Sequence, residues 1–302
     1  MKDVLITGGA GKIGFDLVKK LIDETNSNIT VLDLESKASI KTLSKVERRV
    51  RVVYGDVEDA NLIRDLVKRN DIVIDYAGIM PPLADLNENI ANSTNFVGTK
   101  NIVDAIAEVN PDCVYMYMSF IAVYGKTDKK VRKLSVDTES THPDDYYSVS
   151  IIRSEEYIRS KIKNYTIMRM PIVLTRSNYF IKHFKLDRTI DFITKEDLND
   201  IVVAVMKSPK IVGKTYNISG FKAKGRDVVK GLYKISGRIN VFGRNLYYGE
   251  YEDTKEIDKL AKVKYTTLSE FVEDSMRKVP RRKRAIRKIL NFWKYIIFMK
   301  MK

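Results

Sequence analysis

Thr7-Gly8-Gly9-Ala10-Gly11-Lys12-Ile13-Gly14 follows the apolar run Val4-Leu5-Ile6 and precedes Leu17, Val18, Leu21 and Ile22, which recur at helical spacing. A strand, a glycine-rich turn and a helix in that order bring the free N–H groups of a helix N-terminus to the end of a strand, where they attract phosphate. Gly8, Gly11 and Gly14 have the spacing G-x-x-G-x-x-G. One such glycine permits the tight turn, one lets the backbone approach a pyrophosphate, and one lets helix and strand pack closely. Lys12 and Ile13 stand where their N–H groups can serve the phosphates. Asp33 ends the next apolar run, Ile29-Thr30-Val31-Leu32, 19 residues after Gly14. An acid at that distance can bind the adenosine ribose hydroxyls. Its carboxylate would repel a 2′-phosphate, so the expected dinucleotide is NAD, while Lys37 is near enough in sequence to leave NADP open.

The pattern continues downstream. Val52-Val53-Tyr54, Ile72-Val73-Ile74, residues 114–118 and residues 165–170 are further apolar runs. Between them, Leu62, Ile63, Leu66 and Val67, then Ile102, Val103 and Ile106, then the stretch from Glu155 to Ile162 have helical character. Runs apolar on both faces suit strands covered by helices on both sides. The alternation predicts an α/β fold, a Rossmann-type doubly wound parallel sheet. Beyond Pro171 the pattern is irregular, and residues 172–192 hold one short apolar stretch. A helix fits residues 196–206, Thr215-Tyr216-Asn217-Ile218 reads as a strand, and helices fit residues 255–262 and 268–278. The expected organisation is an NAD-binding domain over 1–175, a small C-terminal substrate lobe over 176–279 in which 211–220 returns a strand to the sheet, and a basic amphipathic C-terminal helix over 280–302.

The 302 residues carry 44% hydrophobic and 31% charged side chains, a globular composition. No run of about 18 apolar residues exists, so no membrane-spanning helix is expected. Met1-Lys2-Asp3 leads straight into a strand with no cleavage site after it, and Cys113 is the single cysteine. The expected setting is therefore reducing and cytoplasmic. No Cys/His cluster suggests a metal, and no G-x-S-x-G nucleophile motif is present. The net charge of +15 is unevenly placed: residues 277–302 hold 11 Lys or Arg and no acid, leaving 43 basic against 39 acidic side chains in the rest. A nearly neutral body argues against a protein-wide grip on nucleic acid. In the tail, Ile286, Ile289, Leu290, Trp293 and Ile297 form one helical face behind a cluster of Arg and Lys. That suits a helix lying in the surface of an anionic membrane, making the protein peripheral on the inner membrane face; packing on its own domain or on a second subunit is the other reading.

With these residues in hand, the chain resembles the extended short-chain dehydrogenase/reductases, the NAD-dependent epimerase/dehydratase family, from residue 1 to about 220. The family's T-G-x-x-G-x-x-G is met by Thr7 to Gly14, and its G-D-[IV]-x-D by Gly55-Asp56-Val57-Glu58-Asp59. Its turn after the fourth strand is similar to Ala77-Gly78, its N-x-x-G-T to Asn95-Phe96-Val97-Gly98-Thr99, its V-Y-G to Val123-Tyr124-Gly125, and its late Y-N-I-x-G to residues 216–220. The resemblance implies that Asp56 and Val57 contact the adenine, that Ala77 and Gly78 line the cofactor, and that the substrate is a nucleotide sugar or a related hydroxyl compound. Members of the family often pair as homodimers.

The resemblance also implies a Tyr-x-x-x-Lys pair and a Ser or Thr four residues before the tyrosine of V-Y-G. The tyrosine exchanges a proton with substrate as hydride moves, and the lysine ammonium lowers a phenol pKa that is otherwise about 10. Here the region reads Asp145-Tyr146-Tyr147-Ser148-Val149-Ser150-Ile151. Glu155 and Ile158 set Tyr147 in the catalytic register, which puts Ile151 at the lysine position; counting from Tyr146 puts Ser150 there. The hydroxyl position is Phe120, and its neighbour Ser119 should point to the other face of the strand. Lys126, Lys129 and Lys130, in the loop after V-Y-G, are candidate replacements for the cation. His142 and His183 are read as surface residues. Two functions follow from the resemblance and its departures. One is an NAD-dependent epimerase, dehydratase or reductase with a degenerate site and Tyr147 as residual acid/base. The other is a catalytically silent NAD(H)-binding sensor or scaffold.

Overall fold

The computed structural model describes residues 1–125, 133–138, 145–175, 187, 189–208, 212–236, 250–251 and 253–280. Lys126, Lys129, Lys130, His142, His183 and the tail from residue 281 lie outside the described residues. Chain order begins with β1 (Asp3–Thr7), α1 (Gly14–Glu24), β2 (Asn28–Asp33), α2 (Lys37–Leu43), β3 (Arg51–Tyr54), α3 (Ala60–Val67) and β4 (Ile72–Asp75). Next come α4 (Glu88–Asn92), a π-helical turn (Ser93–Gly98), α5 (Thr99–Val109) and β5 (Val114–Phe120). A 3₁₀ turn (Ile121–Tyr124) precedes β6 (Lys133–Leu134), α6 (Tyr146–Lys161), β7 (Tyr165–Met170) and β8 (Ile172–Leu174). The last part contributes β9 (Thr189–Thr194), α7 (Lys195–Met206), β10 (Lys214–Asn217), β11 (Phe221–Lys224), α8 (Gly225–Ser236), β12 (Glu250–Tyr251), α9 (Lys255–Ala261) and α10 (Leu268–Arg277).

Seven parallel strands form the main sheet in the order β3-β2-β1-β4-β5-β7-β10. Its centre is apolar on both faces: Val4, Leu5, Ile6, Val73 and Ile74 have no exposed surface. Burying each such side chain contributes about 1.5–3 kcal/mol. Helix α1 lays Leu17, Val18 and Leu21 on the sheet and stops where Thr25 donates both its N–H and its hydroxyl to the Leu21 carbonyl. Helix α3 starts at Asp59, whose carboxylate accepts the N–H groups of Asn61 and Leu62. Strand order reverses at β1, with β2 on one side and β4 on the other. In an open α/β sheet a ligand sits at that reversal, above the C-terminal ends of the strands.

The strand expected within residues 211–220 is β10, which pairs with β7 at the sheet edge. Helix α6 begins at Tyr146, nine residues before the apolar spacing around Glu155 makes it evident. Four elements between residues 176 and 279 escape sequence reading: β9, β11, α8 and β12. Strand β9 buries Asp191 and Thr194 among its apolar residues, and Asp191 accepts the Ser219 hydroxyl and the Tyr251 N–H. Helix α8 carries Gly231 mid-helix, and a Cβ there would stand 2.7 Å from Val272 on α10, so the glycine lets the two helices pack. Strand β9 joins β8 in parallel and β11 in antiparallel pairing, and β6 pairs with β12. Among the described residues no helix is long and apolar enough to cross a membrane.

Candidate functional site

The glycine turn sits at the strand-order reversal. Gly8 has φ +65°, and a Cβ on it would lie 2.6 Å from the Tyr76 carbonyl oxygen. Only glycine lets the turn after β1 lie against the turn after β4. Gly14 opens α1 with its Cα so near the turn that a Cβ would stand 2.5 Å from the Gly8 oxygen. The Gly11 N–H donates to that oxygen at 3.0 Å, and Gly11 itself is exposed. The N–H groups of Lys12 and Ile13 find no acceptor among the described residues. A cradle that excludes side chains and leaves N–H groups at a helix start fits a pyrophosphate.

Asp33, at the end of β2, is half-buried and accepts the Ala10 N–H at 2.7 Å. Burial raises its pKa above the ordinary carboxylate value against the lowering effect of the Ala10 and Leu34 N–H groups. The carboxylate is thus fixed at the edge of the turn. Asp56 accepts the Glu58 N–H at 3.0 Å. Val57 is buried against Gly98, and the Asn101 amide holds the Val57 and Glu58 carbonyls at 3.0 Å each.

The floor between the two turns is a group that sequence reading does not pick out. Asp75, the last residue of β4, is buried and accepts the hydroxyls of Thr7 and Tyr115 and the Ala77 N–H. Burial raises its pKa, and the three donors oppose that rise. Asn95 holds the next step of the same turn. Its carbonyl accepts the Ile79 N–H at 2.7 Å, and its amide donates to the Ile79 carbonyl and the Ser150 hydroxyl. The Asn95 position is visible in the motif, but its reach to α6 is visible only in three dimensions.

Helix α6 is capped by Asp145, which accepts the Ser148 N–H at 2.7 Å and the Ser148 hydroxyl at 2.8 Å. Tyr146 is 45% exposed whereas Tyr147 is 7% exposed and Ile151 5%. The inward residues are therefore Tyr147 and Ile151, one helical turn apart. The Phe120 ring meets the Tyr147 ring edge-on. The Ser119 hydroxyl donates to Glu155, further along the same helix, at 2.5 Å. Burial pushes the Tyr147 phenol far up, and the carboxylates of Asp145 and Asp85 push it further. Among the described residues no cation acts in the opposite sense.

Behind α6 lies a buried ion pair. Glu155 receives Arg169 through Nε at 3.0 Å and Nη2 at 2.7 Å, together with Arg159 at 2.9 Å. Arg169 also donates to the Tyr124 hydroxyl and to the Val136 carbonyl. Tyr124 donates to Asn217 at 2.6 Å, and the Asn217 amide reaches Asp253. This network ties α6, β7, the V-Y-G turn and β10 to the small lobe. The Arg169 cation holds the Glu155 carboxyl below its ordinary value against the effect of burial. Among the described residues no group of three or more His, Cys, Asp or Glu is placed to hold a metal ion.

A parallel doubly wound sheet with a glycine cradle at its reversal point and an acid ending the second strand defines a dinucleotide-binding α/β protein. The sequence matches the NAD dependent epimerase/dehydratase family over residues 4–182, and the chain belongs to that family. It is 30% identical over 220 residues to dTDP-glucose 4,6-dehydratase of Mycolicibacterium smegmatis, an alignment covering 71% of this chain and 63% of that one. The chain thus spans less than two thirds of the length of that relative. UDP-glucuronic acid 4-epimerase from Bacillus cereus, solved with UDP-glucuronic acid and NAD, shares the fold with a TM-score of 0.75 at 21% identity, over 91% of this chain and 99% of that one. UDP-glucose 4-epimerase from Bifidobacterium longum, solved with NAD⁺ and UDP, gives 0.74 at 19% identity, over 91% and 97%.

Proposed function

We propose that the chain binds NAD(H) on Gly8, Gly11, Lys12, Ile13 and Gly14, with Asp33 on the adenosine ribose, Asp56 and Val57 at the adenine, and Ala77 and Gly78 along the cofactor. The ligand beside it is a nucleotide sugar or a related hydroxyl compound, and the oxidoreductase site is degenerate. Bound NAD supplies a hydride acceptor. Among the described residues, what the chain supplies toward proton transfer is the buried phenol of Tyr147. The observation that carries this reading is the surroundings of that phenol: two carboxylates and burial all favour its neutral form, and Ile151 occupies the place of the cation. A phenol so held is a poor general base near neutrality.

The same observation favours a second reading, a redox-silent NAD(H)-binding sensor or scaffold. One experiment separates them. The chain is loaded with NAD⁺ and titrated with a panel of nucleotide sugars, following reduced-nicotinamide absorbance and product chromatography. Conversion supports the slow enzyme. NAD binding without conversion supports the silent protein, and absence of NAD binding overturns both. The basic apolar helix expected over residues 280–302 would bring either protein to an anionic membrane; liposome co-sedimentation that survives its deletion overturns that part.

A further inference from the structure

Asp16 stands in the first turn of α1, at the helix end that carries the Lys12 and Ile13 N–H groups. An acid there suits the helix dipole but opposes a second negative charge at the same place. Each oxygen of its carboxylate has a lysine. Lys19, three residues on, reaches Oδ1 at 2.6 Å, and Lys195 reaches Oδ2. Lys195 is the first residue of α7 and lies 179 residues away in sequence. Burial alone would raise the Asp16 carboxyl, but the two ammonium groups outweigh it and hold the pKa below its ordinary value. The acid is therefore ionised near neutrality.

Asp16 and Lys195 line one cavity of about 540 Å³ with Gly11 and Lys12 of the glycine turn. Glu196, next to Lys195, lines it too, and α10 adds Asp274 and Lys278, which pair with each other at 2.5 Å. Three lysines and three acids thus surround it. Charge is nearly balanced there, so removing one side chain gives the cavity a net sign, and a cleft focuses such a field. Docking of α7 on α1 does not rest on Lys195 alone. Lys20 pairs with Asp200 one turn further from the glycines, and the Asn199 amide donates to the Ile13 carbonyl at 3.4 Å.

We propose that Lys195 is a cofactor-binding residue: its ammonium offsets the Asp16 carboxylate at the glycine turn and supplies positive charge for the pyrophosphate of NAD. The proposal rests on the reading above that the glycine turn holds NAD. It makes the pyrophosphate site a joint product of that turn and a helix from the other end of the chain.

The test measures NAD binding to the full chain by calorimetry. K195M is expected to weaken NAD about fivefold, the effect of one partly solvated charge. K195R should restore the affinity. The K195M loss should shrink as salt rises, because solvated charges are screened. D16N is expected to strengthen NAD binding while lowering the thermal midpoint, since the acid that repels the ligand also favours the helix end. D16N/K195M should return close to the native affinity, because the two lost charges cancel. K20M should lower the midpoint with little change in NAD affinity. Native affinity in K195M, or a K195M loss that salt leaves unchanged, overturns the proposal. So does weaker NAD binding in D16N, or a loss in K20M as large as in K195M, either of which makes the pair a structural clasp. The native chain is measured first: no NAD binding there sinks the cofactor reading, whereas NAD binding indifferent to K195M and D16N sinks the role of Lys195 alone.

Discussion

Phe120 and Tyr147 meet edge to face, their ring centroids 6.1 Å apart at 63°. On the assignment of Tyr147 proposed above, an aromatic ring would take the place where the family's hydroxyl orients a substrate oxygen, and one helical turn on Ile151 would take the place of the ammonium. If this site is decayed rather than rebuilt, F120S/I151K should lower the Tyr147 pKa and create or raise turnover of a family substrate. Ultraviolet titration of tyrosinate in F120S/I151K against F120S/I151K/Y147F isolates the phenol. A Tyr147 titration that stays far above the ordinary range in F120S/I151K would show that the helix does not direct the introduced ammonium to the ring. Y147F alone should leave NAD affinity unchanged, and a loss would place the phenol in cofactor binding.

Gly8 makes a different prediction because its constraint is backbone against backbone. G8A must accommodate both a positive φ and a Cβ 2.6 Å from the Tyr76 oxygen, and the opposing group is a main-chain turn with no rotamer to change. Holding a non-glycine residue in such a conformation costs about 1–3 kcal/mol. G8A should lower the thermal midpoint and weaken NAD binding by more than tenfold. Unchanged calorimetric affinity in a folded G8A would mean that the two turns do not jointly build the cradle.

Much of this is legible in the sequence and some is not, for identifiable reasons. The glycine turn, Asp33 and the strands of the main sheet are local patterns in which period, spacing and chemistry agree. The start of helix α6 is concealed because the Tyr147-to-Ser150 stretch buries serines where apolar residues would announce a helix; those serines bond to Asp145, the Tyr147 carbonyl and Asn95. Strand β9 is concealed for a similar reason, since Asp191 is satisfied by groups 28 and 60 residues away. Asp75 reads as an ordinary strand-end acid until Thr7 and Tyr115 are seen to converge on it. Buried polar groups are specified by partners distant in the chain, and a period in one strand cannot show them.

The Glu155–Arg169 pair predicts a non-additive result. Removing one partner leaves the other charge buried, which costs about 3–5 kcal/mol, whereas replacing both with apolar residues of similar size costs much less. E155Q and R169M should each unfold at markedly lower denaturant, and E155L/R169M should recover a large part of the loss. In acid the carboxyl's lowered pKa gives a definite sign. The stability it adds is present above the unfolded-state pKa near 4.5 and is lost as pH falls through the lower folded value. Chemical denaturation midpoints measured down the acid range should show this slope in the native chain and not in E155L/R169M. Strict additivity of the two single losses would argue that the charges do not depend on one another.

Asp75 carries the opposite sign. Its folded pKa lies above the ordinary carboxylate value of 3.8, so the folded state binds the proton more tightly than the unfolded chain does. Its contribution is fully present below the unfolded value and is lost as pH rises through the folded one, when a carboxylate with no cation acting on it must be kept ionised in the interior. D75N removes that ionisation while keeping one oxygen for the Thr7 hydroxyl and the Ala77 N–H. Relative to the native chain, D75N should therefore gain stability as pH rises from the acid range, and the difference between their denaturation midpoints should level off above the folded pKa. Because the same oxygen holds Ala77 beside Gly8, D75A, which offers no acceptor at all, should weaken NAD binding by about tenfold or more, whereas D75N should not. Parallel midpoints for D75N and the native chain across the acid range would mean that the three donors, and not burial, govern this carboxylate.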